Sequence, residues 1–286
     1  MFEAVAEEVF RRYGRVWKAS TLAVNRVYLK NQILPWFRGR PVAAITRAEV
    51  RRWFAGLRKT PAAANRSLPI LSVILGQAAL YGYREEGENP CRGIRRYPRP
   101  RRERFLTLAE AERLGRALRK APPAPAALIR LLLLTGCRQS EIRTLRWRDY
   151  REGRLFLPDS KTGPRTVWLS EPARKTLDNL ARTGPWVFPG AAGTGATAPS
   201  RDGPMPAGAL ARHWRRLSEA AGLGGLRLHD LRHSYASFAL RHGESVLTIG
   251  RLLGHRDPAT TLRYTHFADE MARRAAASVG AVLGEA

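Results

Sequence analysis

The sequence predicts a mainly helical protein of two domains, the second carrying a small β-sheet. Three observations lead there. The chain has 286 residues, which favours two domains over one at ordinary domain sizes. Apolar residues recur at helical spacing over most of the chain, and β-rich runs are confined to 154–170. Between the two parts lies Arg95-Arg-Tyr-Pro-Arg-Pro-Arg-Arg-Glu-Arg104, where proline forbids regular structure. The expected division is therefore 1–94, a linker at 95–104, and 105–286.

The N-terminal part reads as four helices. Residues 3–13 alternate apolar and charged positions at helical spacing. Ser20-Thr21 can cap a second helix that Pro35 ends, and Thr46-Arg-Ala-Glu49 is a capping box for a third, reaching about Lys59. The fourth covers 61–82 with Ala63, Leu68, Leu71, Ile74, Leu75, Ala78 and Ala79 as its buried stripe. Pro69 inside it predicts a kink or a late start.

In the second part, Thr107-Leu-Ala-Glu110 is another capping box, for a helix to about Lys120. A buried helix runs from Pro125 to Leu134 and Gly136 ends it; Ser140-Glu141 opens the next, to Trp147. RLFLP (154–158) and RTVWLS (165–170) flank the polar turn Asp159–Gly163, which reads as a β-hairpin. Residues 190–208 are mostly Gly, Ala, Pro, Ser and Thr and predict a loop. Helices are expected at 207–221, 229–241, 245–253 and 267–283.

Charge narrows the partner. Lys and Arg number 50 against 24 Asp and Glu, a net +26 and nearly all of it arginine. Residues 1–97 hold 18 basic and 7 acidic side chains, and the remainder 32 and 17, so both parts are basic. Such a chain repels itself unless a polyanion offsets the charge, and nucleic acid is the first candidate. A generally arginine-rich proteome is the plainer alternative. Arg95, Arg96, Arg99, Arg101 and Arg102 fit a linker lying on phosphate, or simply a solvated one. No run of 18 apolar residues exists, and the N-terminus has no signal-peptide core. Cys91 and Cys137, one in each part, make no disulfide framework. A cytoplasmic protein is expected, with no membrane partner.

Candidate chemistry clusters in a few places. Leu228-His-Asp-Leu-Arg-His233 puts His229, Arg232 and His233 on neighbouring helix positions; two histidines four apart could bind zinc, or with Arg232 a phosphate. His255 follows Leu252-Leu-Gly254 at a helix end, and Tyr264 sits among His255, Arg263 and His266. Arg138 stands at a break between two apolar helices, where a guanidinium needs a partner; Glu141 or a bound phosphate could supply it. Lys161 is at the hairpin tip, a place where lysines are usually only solvated. Each signal alone is weak.

Their order along the chain resembles the tyrosine recombinase, or phage integrase, family. The motifs are TGCRQSEI (135–142), DSKTG (159–163), HDLRH (229–233), LLGH (252–255) and TTLRYTH (260–266), in the family's order and approximate spacing. The resemblance covers 104–286 strongly and the N-terminal helices more loosely. It implies a helical core-type DNA-binding domain and a mixed α+β catalytic domain that close as a C-shaped clamp on DNA. It also implies a site-specific recombinase that cuts and rejoins strands through a 3′-phosphotyrosyl intermediate, with neither metal nor ATP.

Residue by residue, the family's catalytic set falls on Arg138, Lys161, His229, Arg232, His255 and Tyr264, with Glu141 orienting Arg138. Implied partners are double-stranded DNA and a tetramer of this chain on two duplexes. The tail helix, with Met271, Ala275, Val279 and Leu283 on one face, would dock on a neighbour or fold back on its own domain. The core-binding pattern starts near Met1, so a preceding arm-site domain is not expected. A type IB topoisomerase and a catalytically silent DNA-binding regulator are the competing readings.

Overall fold

The computed structural model describes residues 1–98, 104–158, 160, 163–190 and 203–255, with 273, 276 and 277. Lys161, Tyr264, Arg99, Arg101, Arg102, the apolar face of the expected tail helix and residues 191–202 of the expected loop lie outside the described residues. The chain divides into two compact units, Met1–Arg102 and Glu103–Ala286.

The first unit is helical: α1 (Phe2–Arg12), α2 (Ala19–Tyr28), α3 (Leu34–Phe37), α4 (Arg47–Gly56) and α5 (Pro61–Leu80). Phe2, Phe10, Phe37, Trp53, Ile74 and Leu75 are buried in one core, and α5 packs against α1 and α2. Pro35 does not end the helical path as expected. A single π turn, Leu29–Ile33, carries the chain from α2 into α3, and Pro35 falls in the first turn of α3, where its missing N–H costs no intrahelical bond. Ser20 and Thr21 lie inside α2, whose N-cap is Lys18. At α4 half of the capping box forms: Thr46 accepts from the Glu49 N–H, while the Glu49 carboxylate turns to Arg40. α5 starts at Pro61 and continues through Pro69, so there is no late start.

The beginning of the presumed linker is held by this unit. Asn65, buried on α5, donates to Tyr97 O at 2.8 Å and accepts from its N–H at 2.9 Å. The Tyr97 ring stacks on Phe54 at 4.8 Å and its hydroxyl donates to Phe54 O. Arg95 and Arg96, by contrast, are exposed.

The second unit is built on α7 (Pro123–Thr135), an apolar helix packed by α6 (Leu108–Arg119), α8 (Gln139–Arg143), α9 (Glu171–Asp178), α10 (Ala207–Ala220) and α11 (Asp230–Arg241). Leu128, Ile129, Leu131 and Leu132 are all buried, which explains a hydrophobic run without a polar stripe. The Thr107 capping box forms in full, with both reciprocal bonds to Glu110. α8 stops at Arg143 instead of reaching Trp147, because the backbone there is used otherwise: Leu145 O accepts from Val187 N and Trp147 N donates to Pro185 O.

The expected hairpin is β2 (Arg154–Leu157) against β3 (Arg165–Trp168), antiparallel, with Leu155 opposite Val167 and Leu157 opposite Arg165. A third short strand, β1 (Tyr150–Arg151), and α9 were not anticipated. Residues 203–206 leave the expected loop: Met205 is buried and its N–H bonds Phe188 O. Helix α12 (Val246–Leu253) is capped by Ser245.

Because Leu128 is fully enclosed at the centre of α7, Leu128→Ala should cost about 2–5 kcal/mol, read as a lower denaturant midpoint for the transition of this unit. An unchanged midpoint would show that α7 is not its core.

Candidate active site

Three chain breaks in the second unit converge on one buried carboxylate. The first is the turn from α7 to α8. Gly136 ends α7 with φ +62°, and a Cβ there would lie 2.6 Å from the Tyr235 ring and 2.7 Å from Leu253, so both the backbone sign and the space demand glycine. Arg138 then caps α8. Glu141, three residues on, reaches back to accept from the Arg138 N–H at 2.8 Å and from its guanidinium at 2.8 Å.

The second is the hairpin. Arg165, the first residue of β3, faces inward with Val167, and its side chain is 9% exposed. It donates to Glu141 at 2.7 Å, to Leu252 O at 3.0 Å and to the Cys137 sulfur at 3.3 Å. Glu141, 3% exposed, thus accepts from three donors. Burial alone would raise its pKa, but Arg165 and Arg138 outweigh that and hold the carboxyl below the usual carboxylate range.

The third is the end of α12. Gly254 takes φ +67°, its N–H bonding Arg251 O and the His255 N–H bonding Gly250 O, the two bonds of a Schellman motif. The two remaining end carbonyls go to arginines: Leu252 O to Arg165, and Leu253 O to Arg232 at 2.8 Å. Arg232 also donates to Gly136 O at 2.8 Å, so one guanidinium ties the ends of α7 and α12 together. His255 follows directly, half-buried.

Arg232 sits on α11, whose start is fixed locally. Asp230, fully buried, accepts from the Arg227 backbone and guanidinium, and its carbonyl accepts from Ser234. That start also places His229 as the α11 N-cap, with its ring 5.2 Å from His233. Partial desolvation of the ring, then the charges of Arg232 and Arg138, push the His229 pKa below the ordinary histidine value. Burial, then Arg138 and Arg165, pull the Arg232 pKa down to about 10. Two of the three guanidinium groups bond the one carboxylate and Arg232 donates to the Gly136 and Leu253 carbonyls, so positive charge exceeds negative among them. Chemically the cluster can hold an oxyanion, with a neutral imidazole beside it.

Of the residues singled out in the sequence, Arg138, Glu141, His229, Arg232 and His255 are brought together by these three breaks. Arg95 and Arg96 belong to the first unit; Lys161, Tyr264, Arg99, Arg101 and Arg102 lie outside the described residues. Arg165 was missed. The signal was present: in a strand, positions 165 and 167 share a face, so an arginine beside inward Val167 must be buried and paired. Among the described residues no group of three His, Cys, Asp or Glu side chains could hold a metal ion, and no helix is long and apolar enough to cross a membrane.

In class, then, this is a basic, largely helical protein with a cluster of guanidinium groups about one buried carboxylate in its second unit. Comparison with known proteins makes the class specific. The phage integrase family matches residues 104–271, and the phage integrase central domain matches residues 2–96. A prophage phiRv2 integrase of Mycobacterium tuberculosis is 30% identical over 298 residues, covering 94% of this chain and 77% of that protein. The tyrosine recombinase XerD of Brucella suis is 35% identical over 157 residues, about half of each chain.

Two solved structures share the fold. A lambda integrase dimer bound to a COC′ core site superposes with TM-score 0.74 at 21% identity, covering 90% of this chain and 96% of that one. A lambda integrase tetramer bound to a Holliday junction gives 0.70 at 21% identity, over 90% and 76%. The chain belongs to the phage integrase family, and is by that membership a site-specific tyrosine recombinase.

Removing the shared carboxylate leaves the enclosed Arg165 and the half-buried Arg138 without it. Glu141→Ala should therefore destabilise the fold by about 3–5 kcal/mol in denaturant unfolding at neutral pH. Because the folded-state pKa of Glu141 is depressed, its contribution is present above the unfolded carboxylate range and is lost as pH falls through the lower folded value. The gap between parent and variant should accordingly close in acid; a gap independent of pH would contradict the pairing. In the free protein, NMR titration should find His229 below the ordinary histidine pKa, rising in Arg138→Ala; a value at or above 6.5 would contradict the burial of its ring among these cations.

Proposed function

We propose that this chain cuts and rejoins DNA strands by transesterification, with Tyr264 as nucleophile. The observation that carries the reading is the buried arginine excess around Glu141. The phosphorane reached during exchange of a DNA phosphodiester carries extra negative charge on its non-bridging oxygens, and forked donors that stay protonated suit it.

In this reading Arg138 and Arg232 hold those oxygens and His255 adds a hydrogen bond. Arg232 spends two donors on Gly136 O and Leu253 O, which fixes its plane and leaves further N–H groups for the ligand. Glu141 orients Arg138. The Tyr264 oxygen attacks phosphorus while the bond to the 5′-oxygen breaks; His229, favoured neutral by its surroundings, takes the phenol proton, and Lys161 protonates the departing 5′-oxygen. The 3′-phosphotyrosyl bond retains the phosphodiester energy, so a 5′-hydroxyl from another duplex can reverse the step without ATP. The protein groups above supply each proton and charge, and the reading assigns no metal.

The remaining assignments follow the same reading. Residues 1–94 act as the core-type DNA-binding domain, 95–104 as the linker, with Arg95, Arg96, Arg99, Arg101 and Arg102 on the DNA backbone, and 105–286 as the catalytic domain. Four protomers join two duplexes, and the C-terminal helix docks on a neighbour; the lambda integrase tetramer on a Holliday junction supports such an assembly for this fold. The cell compartment is the cytoplasm, where the DNA substrate lies.

The test is a nicked duplex that loses its 5′-hydroxyl fragment after cleavage. The parent should accumulate a protease-sensitive protein–DNA adduct and Tyr264→Phe none, while Arg138→Ala or Arg232→Ala slows adduct formation by about 10²–10³. Adduct formed equally by Tyr264→Phe removes that residue from its role.

A further inference from the structure

Arg165 belongs to no motif by which the family resemblance was drawn, yet it bonds Glu141, Cys137 and the end of α12 at once. One end of its guanidinium bonds Glu141, which in turn holds both the backbone and the side chain of Arg138. The other end bonds Leu252 O, in the last turn of α12 and three residues before His255. Its stem runs beneath Gly254, where any Cβ would stand 2.5 Å from the Arg165 Cδ, so the chain at that turn is shaped around this side chain. At 9% exposure Arg165 is walled off from solvent, and two good acceptors already occupy its forked ends. It is placed to set the distance between Arg138 and His255, and not to meet the DNA.

From this geometry we infer that Arg165 is a positioning residue for the phosphate-holding groups: it fixes Arg138, through Glu141, and the His255 turn, through Leu252, in one arrangement. This rests on the reading that Arg138 and His255 hold the scissile phosphate. The planar fork presents separate nitrogens to acceptors on different elements, α12 and α8, a fixed span that the compact ammonium of lysine does not reproduce. Without the strut, each element keeps its own fold while their spacing relaxes, and displacement of catalytic groups by about an ångström slows chemistry by around 100-fold.

The experiment uses full-length parent, Arg165→Ala and Arg165→Lys on the nicked duplex, in single turnover, with folding checked by circular dichroism. The lysine variant keeps a buried cation and most of the packed stem, so it covers the case in which the alanine variant fails to fold. Each protein is assayed on an ordinary scissile phosphate and on a methylphosphonate, whose lost non-bridging oxygen removes the charge that Arg138 would offset. We expect DNA binding within about twofold of the parent and cleavage of the phosphodiester slowed by about 100-fold for alanine and at least 10-fold for lysine. On the methylphosphonate the deficit should shrink to within about fivefold, a change that general loosening of the fold would not produce. Cleavage by a folded variant within twofold of the parent, or an equal deficit on both substrates, overturns the inference. A parent that forms no adduct at all instead overturns the reading of the site itself, so the two failures are distinct.

Discussion

Glu141 is the point on which the second unit's chemistry depends. Leaving a carboxylate at 3% exposure without partners would cost several kilocalories per mole, and here three donors from two guanidinium groups and one backbone amide meet it. The consequence reaches past stability. The same carboxylate that makes the burial of Arg138 and Arg165 tolerable leaves Arg232 without a charge of its own to pair with. Its depressed pKa expresses that imbalance: the folded protein carries a buried cation that an anion would stabilise. The cost of gathering these like charges is met during folding.

The backbone supplies the other half of the preorganisation. Two helices end at left-handed glycines, Gly136 and Gly254, and the carbonyls these ends expose become acceptors for Arg232 and Arg165. Cations at helix C-termini are favoured by the helix dipole as well as by the hydrogen bonds. Local chain geometry and long-range charge therefore reinforce each other: the glycines admit the close approach, and the arginines hold the ends in place.

What the sequence disclosed follows the same division. Features decided within a few residues were legible: the Thr107–Glu110 capping box, the helix stops at Gly136 and Gly254, and the hairpin of 154–158 with 165–170. The family motifs pointed to residues 138, 229, 232 and 255, which lie at or beside the chain breaks that Glu141, Arg165 and Arg232 tie together. Features decided by distant partners were not legible. The shortening of α8 depends on backbone pairing with 185–187, and the passage of the chain through Pro35 depends on a π turn that no local propensity announces. Helix α9 was missed although Ser170, Pro172 and the Glu171–Lys175 pair mark its first turn. The inward position of Arg165 beside Val167 was legible in the strand pattern, but the three segments it joins, far apart in sequence, were not.

The claim that a shared carboxylate prepares an arginine pocket for a phosphodiester is tested most directly by a crystal structure of this chain on a duplex. The account predicts the scissile phosphate within about 3 Å of donors from both Arg138 and Arg232, with Glu141 still bonded to Arg165. A phosphate seated away from those guanidinium groups, or bound only after Glu141 has left Arg165, would contradict it.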